Sequence, residues 1–551
     1  MNRRSFLLAT ATAAFAAPAL AADEGFLMFG GPIHHALDGA NWHGNGVVVR
    51  GGKVAFAGPL AEARALARGL PEIDLKGAAA YPGFIDSHVH LTGVGLREMT
   101  LNLDQVKSVA ELVAAARAWR EANPGTEPLT GRGWIETHWP EKRFPTRADL
   151  DAVSSTQPIV LERADGHAVV LNSAALRLAG IDGTTKDPAG GRIERDAAGE
   201  ATGMLIDNAM GLIGAKLPPL SYARRKEALA KGTALYAARG WTRGVNMSTE
   251  ADDVKALFEL AAEGRLPIRV DAFTTPEDSG EVLRRGPYGD PTGLVRVRGV
   301  KLYMDGALGS RGAALLKPYS DRPDTSGLLI AEHDATLAIL KQALKVRAQV
   351  AIHAIGDRGN RLALDWIEEA FASDPVAAKA VTWRVEHAQI IDPADIPRFA
   401  KLGVVASMQP SHAIGDLYFA PARLGPDRLA GAYAWRSLMD SKARLAFGTD
   451  APVEVGDPRI EFYAAVARKD LAGRSDSGWG PEQALPRPWA LAALTSGAAA
   501  AVQAIGGDLV RSMPADITVF SRDILTIPEA DVLTVKPLLT IVGGRIVSDR
   551  R

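Results

Sequence analysis

The chain of 551 residues contains no cysteine. Disulfides, thiolate metal sites and cysteine nucleophiles are therefore excluded, because each of them needs a thiol sulfur. An excess of charge is missing as well, since 63 Lys and Arg residues stand against 64 Asp and Glu residues. This balance gives no electrostatic reason to expect a nucleic acid or an anionic membrane as partner. We expect a small-molecule substrate, with the 11 histidines and the carboxylates supplying any metal ligands.

Three familiar active-site motifs are also absent from the sequence. We find no phosphate-binding GxxxxGK[ST] loop, no GxSxG nucleophile elbow and no basic patch interleaved with aromatic residues. Phosphoryl transfer, serine-hydrolase chemistry and nucleic-acid binding therefore lack a site in this chain.

The N-terminus has the pattern of a targeting signal. Arg3 and Arg4 precede an apolar run over residues 7–17, and the small-residue site Ala19-Leu20-Ala21 follows. The run is shorter than the roughly 20 residues that a membrane-spanning helix needs. We interpret residues 1–22 as a twin-arginine signal peptide cleaved after Ala21 or Ala22. The expected location is periplasmic or secreted, with no stable membrane anchor after cleavage.

Both ends of the mature chain are rich in β-type sequence. Residues 26–58 contain short strand-like runs with a hairpin at Gly51 and Gly52, and residues 515–520 and 538–547 have the same character. We expect residues 23–78 and 501–551 to pair into one small β-domain.

Between these ends, apolar strand-like runs alternate with amphipathic helical ones, which is typical of βα units around a parallel sheet. Eight strand candidates lie at 79–85, 242–247, 268–273, 297–303, 349–353, 382–386, 404–408 and 444–447. The predicted fold is an α/β TIM (β/α)₈ barrel over residues 79–500. The long gap after the first strand predicts an inserted subdomain over about residues 92–221, placed over the mouth of the barrel.

Polar residues cluster where these predicted strands end. His88 and His90 end the first strand, and alternate residues of a strand face the same side, so both imidazoles can reach one metal. The other members of this set are Lys301 in the fourth strand, His353 and His387 at the ends of the fifth and sixth, and Asp450 after the eighth. Barrels of this kind place catalytic groups at the C-terminal ends of their strands.

Six segments carry these and neighbouring residues in a distinctive order. They are residues 82–90, 131–134, 165–167, 352–357, 384–389 and 448–452. Together they resemble the amidohydrolase superfamily, and within it the amidohydrolase-3 branch, which includes enzymes similar to N-substituted formamide deformylase and D-aminoacylase. The resemblance spans nearly the whole mature chain. It implies that the two β-rich ends form a small β-sandwich.

The resemblance also implies a metal centre. His88, His90 and Asp450 are expected to bind one divalent ion, and Lys301 to bridge to a second ion held by His353 and His387. A bridging lysine must first be carboxylated, because an ammonium cannot ligate a cation. The competing interpretation of Lys301 is an ion pair with Asp305 or another carboxylate, which leaves a single-metal site. Zinc is the expected ion for such ligands, with Mn, Fe, Co and Ni as alternatives.

Such a centre is suited to hydrolysis by a metal-activated water. We expect cleavage of an amide-type C–N bond in an N-acyl or N-formyl compound, with Asp450 moving the proton from the water to the departing amine. Lactone or ester hydrolysis and deamination are alternatives on the same centre. A catalytically silent binding protein on this scaffold is an alternative from another class.

Four further residues are candidates for contacting the substrate. His167 and His412 lie near segments expected at the mouth, where either can serve as a hydrogen-bond donor or fill a structural role. Trp134 forms an aromatic cluster with His138 and Trp139, which lines a pocket or packs in a core. Arg311 is a candidate partner for a substrate carboxylate, with an internal salt bridge as the alternative.

Overall fold

The computed structural model describes residues 25–37, 40–136, 139–164, 166, 168–188, 191–475 and 479–551. The predicted signal peptide lies outside these residues. Within them, no helix combines the length and the apolar character that crossing a bilayer requires.

Eight parallel strands form the central sheet, and each pairs with the next along the chain. They are β1 (Phe84–Val89), β2 (Trp241–Thr249), β3 (Arg269–Thr274), β4 (Val295–Tyr303), β5 (Gln349–Ala354), β6 (Arg384–His387), β7 (Val405–Met408) and β8 (Arg444–Phe447). A short strand, Tyr288–Gly289, pairs antiparallel with β4. The predicted barrel fold is confirmed.

The barrel closes just beyond β8. Val89 and Ala451 form a parallel bridge, the amide nitrogen of Asp450 donates to the carbonyl oxygen of His88 at 2.7 Å, and that of His90 donates to Ala451 at 2.8 Å. The closing contacts therefore bring the segment after β8 against the C-terminal end of β1.

The helices between the strands follow their sequence signals. The helix Tyr222–Arg239 begins after Ser221, whose side chain accepts from the amide of Arg224, and ends at Gly240, whose φ of +104° suits glycine. The other α-helices are Leu60–Leu66, Leu91–Arg97, Val109–Ala122, Arg147–Asp151, Ser173–Ala179, Gly211–Gly214, Ala251–Ala262, Gly280–Arg285, His333–Lys345, Asp357–Ser373, Pro375–Ala378, Ile396–Leu402, Pro410–Asp416, Ala420–Leu424, Trp435–Asp440, Pro458–Ala467, Arg487–Ala493 and Ser496–Ala501. Short 3₁₀ helices span Asn208–Met210, Pro426–Gly431, Pro481–Gln483 and Glu529–Thr534.

Residues 26–82 and 517–549 meet in one eight-stranded sheet. Its strands are Phe26–Leu37, Ala40–Arg50, Lys53–Gly58, Glu72–Asp74, Ala79–Pro82, Ile517–Phe520, Pro537–Val542 and Arg545–Asp549. The strand Ala79–Pro82 joins the halves, because it pairs with both Phe26–Leu37 and Ile517–Phe520. The predicted hairpin at Gly51 and Gly52 is present, with Arg50 opposite Lys53.

The predicted boundary of the first barrel strand was wrong. Residues 79–85 were expected to form the first barrel strand, but Ala79–Pro82 belongs to the terminal sheet and β1 begins at Phe84. Gly83 separates the two strands. A Cβ at Gly83 would lie 2.2 Å from Oγ1 of Thr242 on β2, so the chain passes closely over the barrel at this point.

The predicted insertion between β1 and β2 forms a six-stranded sheet. Its strands are Leu101–Asn102, Leu129–Trp134, Ile159–Arg163, Ala168–Leu171, Gly191–Arg195 and Ala201–Asp207.

The end of the barrel at which its strands begin is filled by apolar side chains. Ile85, Val245 and Phe273 cluster there with Ala498 and Val502, so the inside of the barrel is accessible at the C-terminal ends of its strands.

Candidate active site

A cavity of about 900 Å³ lies at the C-terminal ends of the barrel strands. Strand-end residues that include His88, His353 and Asp450 line it on the barrel side, and Ile135 and Ile206 of the insertion line it on the other. The insertion therefore covers the mouth of the barrel.

Three of the predicted ligands lie together in this cavity. Nε2 of His90 is 3.2 Å from Oδ1 of Asp450, and Nε2 of His88 is 3.4 Å from the same oxygen. One ligand atom from each lies within 4.8 Å of the others, a spacing that can hold one metal ion. Asp450 adopts a left-handed φ of +59°, in the bend that closes the barrel.

A second group of possible ligands shares Asp450 and contains His387 and His412. From the sequence, His412 was a candidate for hydrogen bonding to the substrate or for a structural role, and not for metal binding. Nδ1 of His387 donates to Oε1 of Gln409 at 2.8 Å, so its Nε2 keeps a free lone pair. The ring centre of His353 lies 4.5 Å from that of His387, so the predicted His353–His387 pair is also close together.

Lys301 lies within the same site and is 1% exposed. Its Nζ is 3.4 Å from Nε2 of His88 and 4.8 Å from the ring centre of Tyr303. The proposed partner Asp305 instead accepts hydrogen bonds from the backbone amides of Ala314, Ile355 and Gly356. In the part of the chain that the structure describes, no carboxylate forms an ion pair with Lys301.

A buried carboxylate, that of Glu386, orients His88 and was not among the predicted site residues. Oε2 of Glu386 lies 2.7 Å from Nδ1 of His88, and both side chains are inaccessible to solvent. Glu386 is neutralised by the guanidinium of Arg384, whose Nη2 lies 3.0 Å from Oε2. Because the carboxylate accepts the Nδ1 proton, the lone pair of His88 points from Nε2 toward Asp450 and Lys301. The signal in the sequence that could have identified Glu386 is an arginine and a glutamate two residues apart in a buried strand.

The pKa shifts of these groups favour metal binding. Burial, with the nearby Lys301, lowers the pKa of His88 to about 4. Burial also lowers the pKa values of His353 and His387 well below their usual range, so these imidazoles are neutral near pH 7. Burial opposes ionisation of Asp450, but the neighbouring histidines hold its pKa well below the ordinary value. The site therefore presents lone pairs and a carboxylate to a cation.

Two orphaned atoms support the same conclusion. Nε2 of His353 and Nε2 of His412 are buried and have no hydrogen-bond partner among the described residues. A buried imidazole nitrogen without a partner is costly, and a bound cation satisfies it. The donor set is made of nitrogen and carboxylate oxygen, which suits zinc and similar divalent ions.

The substrate-binding candidates lie in different places. Trp134 is fully buried in the core of the insertion, where its Nε1 donates to the carbonyl of Leu161 at 2.9 Å, so it does not line the cavity. Trp139 is likewise 2% exposed. Arg311 lines the cavity but already pairs with Asp321 at 2.8 Å.

Two histidines considered in the sequence analysis cannot be placed. His138 and His167 lie outside the described residues.

The fold and the site together define a metal-dependent hydrolase of the barrel type. The sequence profile of the amidohydrolase family matches residues 71–548, and the chain belongs to this family. A metal-dependent hydrolase from Pyrococcus horikoshii has a similar structure, with a TM-score of 0.76, 29% identity and coverage of 92% of this chain and 99% of that one.

Two relatives extend over most of this chain. YtcJ of Bacillus subtilis (strain 168) is 34% identical over 494 residues, which cover 87% of this chain and 90% of YtcJ. N-substituted formamide deformylase of Arthrobacter pascens is 27% identical over 538 residues, which cover 93% of this chain and 96% of that enzyme.

Proposed function

We propose that the protein hydrolyses an amide-type C–N bond in a small N-acyl or N-formyl compound. This assigns it to the hydrolases that act on carbon–nitrogen bonds other than peptide bonds. The observation that carries the proposal is the convergence of four imidazoles on the carboxylate of Asp450 at the mouth of the barrel. The similarity to a formamide deformylase over nearly the full length favours an amide over an ester or a ring C–N bond.

The proposed metal ligands are the strand-end residues. His88, His90 and Asp450 would hold one ion, and His387 with His353 would hold a second, with His412 close enough to Asp450 to assist. A divalent cation bound there would polarise the substrate carbonyl and lower the pKa of an attacking water toward neutrality. We propose zinc as the ion.

Asp450 is the proposed proton carrier. Its carboxylate is ionised, lies among the histidines and faces the cavity. It accepts a proton from the attacking water while the water oxygen adds to the carbonyl carbon. When the C–N bond breaks, Asp450 delivers this proton to the nitrogen, so that a carboxylic acid and a neutral amine leave.

Lys301 is the proposed bridge between the two ions, as an N-carboxylated side chain. A buried ammonium without a carboxylate partner is unfavourable, and the structure places Nζ beside His88 and Tyr303 instead of an acid. Carboxylation by CO₂ removes the positive charge and supplies anionic oxygen ligands.

The test is metal-dependent turnover on defined substrates. The protein is purified without chelator, its metals are identified and counted, and a panel of N-formyl and N-acetyl amines is assayed beside a lactone, an ester and an aminated heterocycle. We expect turnover of the amides that is lost on chelation and returns with zinc. Turnover of the lactone, the ester or the heterocycle alone would overturn the proposal, and so would a metal-free, inert protein.

A further inference from the structure

Glu454 lies in the cavity, where the imidazole of His412 separates it from Asp450, the proposed proton carrier. Its Oε1 is 3.7 Å from Nε2 of His412, and the same Nε2 is 3.7 Å from Oδ2 of Asp450. The carboxyl group lines the cavity and its side chain is 25% exposed. A group bound to Glu454 is therefore close to the reacting bond of a substrate held at Asp450.

The arginines that line this cavity are already paired. Four arginines reach it, and each has a carboxylate partner: Arg163 with Glu136, Arg192 with Glu194, and both Arg311 and Arg423 with Asp321. In contrast, no arginine or lysine of the described residues forms an ion pair with Glu454. An anionic substrate group would have to displace an existing ion pair to reach any of these arginines, whereas a cationic group meets an available carboxyl at Glu454.

The surroundings of Glu454 also favour a cationic substrate group over an anionic one. Asp104 and Asp416 line the same cavity, and with Asp450 they make the wall around Glu454 acidic. A cation beside Glu454 would be attracted by several carboxylates at once.

We propose that Glu454 binds a cationic group of the substrate, an ammonium or guanidinium a few bonds from the scissile amide. The proposal rests on the amide hydrolysis proposed above and names the class of amide. Apolar side chains that include Ile135, Phe144 and Ile206 line the same cavity and can contact the hydrocarbon part of such a substrate.

The test uses three formamides of nearly equal size. They are N-(3-ammoniopropyl)formamide, which is cationic, N-butylformamide, which is neutral, and 4-formamidobutanoate, which is anionic. We expect kcat/KM for the cationic compound to exceed that for the neutral one by on the order of ten-fold, with the anionic compound the poorest. Equal values, or a preference for the neutral or anionic compound, would overturn the proposal.

Variants connect the preference to one side chain. Glu454→Gln keeps the size of the side chain but removes its charge, so the ratio of cationic to neutral kcat/KM should fall to near one. Glu529→Gln is the matched control, because Glu529 pairs with Lys469 at 2.9 Å and does not line the cavity. It should keep the wild-type ratio. A Glu454→Gln protein with normal metal content that keeps the preference would contradict the proposal.

The role of Glu454 can be tested even if the protein does not hydrolyse these amides. If none of the three formamides is hydrolysed, the amide proposal fails for this class, and the same compounds serve as ligands in calorimetry on the zinc-loaded protein. Tighter binding of the cationic compound that is lost in Glu454→Gln still supports the role of Glu454. Binding without a charge preference, or no binding of any of the three, overturns it.

Discussion

His88 and Glu386 contact each other across the barrel, from β1 to β6, with 2.7 Å between Nδ1 and Oε2. The contact fixes the proton on Nδ1 and leaves Nε2 as the ligand atom. Arg384 compensates the charge of Glu386 inside the protein, so the pair is stable without solvent. The first ligand of the proposed metal centre thus depends on a residue that does not contact the metal.

Replacing Glu386 with glutamine should weaken metal binding. The neutral amide makes the imidazole of His88 a poorer ligand, and we expect a loss of about 10–100-fold in affinity, measured by competition with a chelator. Glu368→Gln is the control, since Glu368 pairs with Lys401 at 2.9 Å at the surface.

This change also leaves Arg384 without its carboxylate, which can destabilise the fold. The double variant Arg384→Met/Glu386→Gln removes the unpaired charge and should show the same loss of affinity. Unchanged affinity in both variants, once they are shown to be folded, would refute the orienting role of Glu386.

Lys301→Ala should lower the number of bound metal ions and reduce turnover. The bridging carboxylate is lost, and a short-chain carboxylic acid added to the buffer should partly restore both, because it can occupy the space left by the side chain. Metal analysis and kcat with and without the acid test this. A variant with a full complement of metal and full activity would show that Lys301 is not a bridge.

The metal-free protein should lose stability from His88 as the pH falls. The folded pKa is about 4 and the unfolded pKa is about 6.5, so between these values the unfolded state binds a proton that the folded state does not. The stability advantage of the wild type over His88→Asn should therefore shrink between pH 7 and pH 4, by at most about 3 kcal/mol.

Urea titrations at several pH values measure this difference. The stability advantage of the wild type over His333→Asn should instead grow as the pH falls, because Asp334 and Glu369 raise the pKa of His333. An advantage over His88→Asn that stays constant with pH would show that His88 is not held neutral by the fold.

We propose that residues 1–22 direct folded, metal-loaded protein through the twin-arginine route. Replacing both Arg3 and Arg4 with lysine should leave active enzyme in the cytoplasm, which fractionation and immunoblotting can detect. Efficient export of this variant would be incompatible with a twin-arginine signal.

The barrel could be predicted from the sequence because its signals are local. Most strands are short apolar runs, and polar residues such as His353 and His387 lie at or near their C-terminal ends, so the positions of these two histidines followed from the pattern. The boundary at Gly83 could not be predicted in this way, since it depends on a close approach to Thr242, about 160 residues further along the chain.

The site was predicted less completely than the fold. His88, His90 and Asp450 come together as expected. The contact of His412 with Asp450 depends on the distance between β7 and β8, which no pattern in one chain reports. The place of Trp134 was left open between a pocket wall and a core, because aromatic clusters occur in both, and only the fold shows that its ring lies in the core of the insertion.

The most direct test of the account is Asp450→Asn, a change that keeps one oxygen ligand but removes the proton acceptor. Metal content and kcat are measured on one preparation with a hydrolysed amide. We predict that most of the metal stays bound while kcat falls by about 10²–10⁴-fold, the usual contribution of general acid–base catalysis. A variant that holds its metal and keeps near wild-type kcat across the pH range would contradict the assignment of Asp450 as the proton carrier.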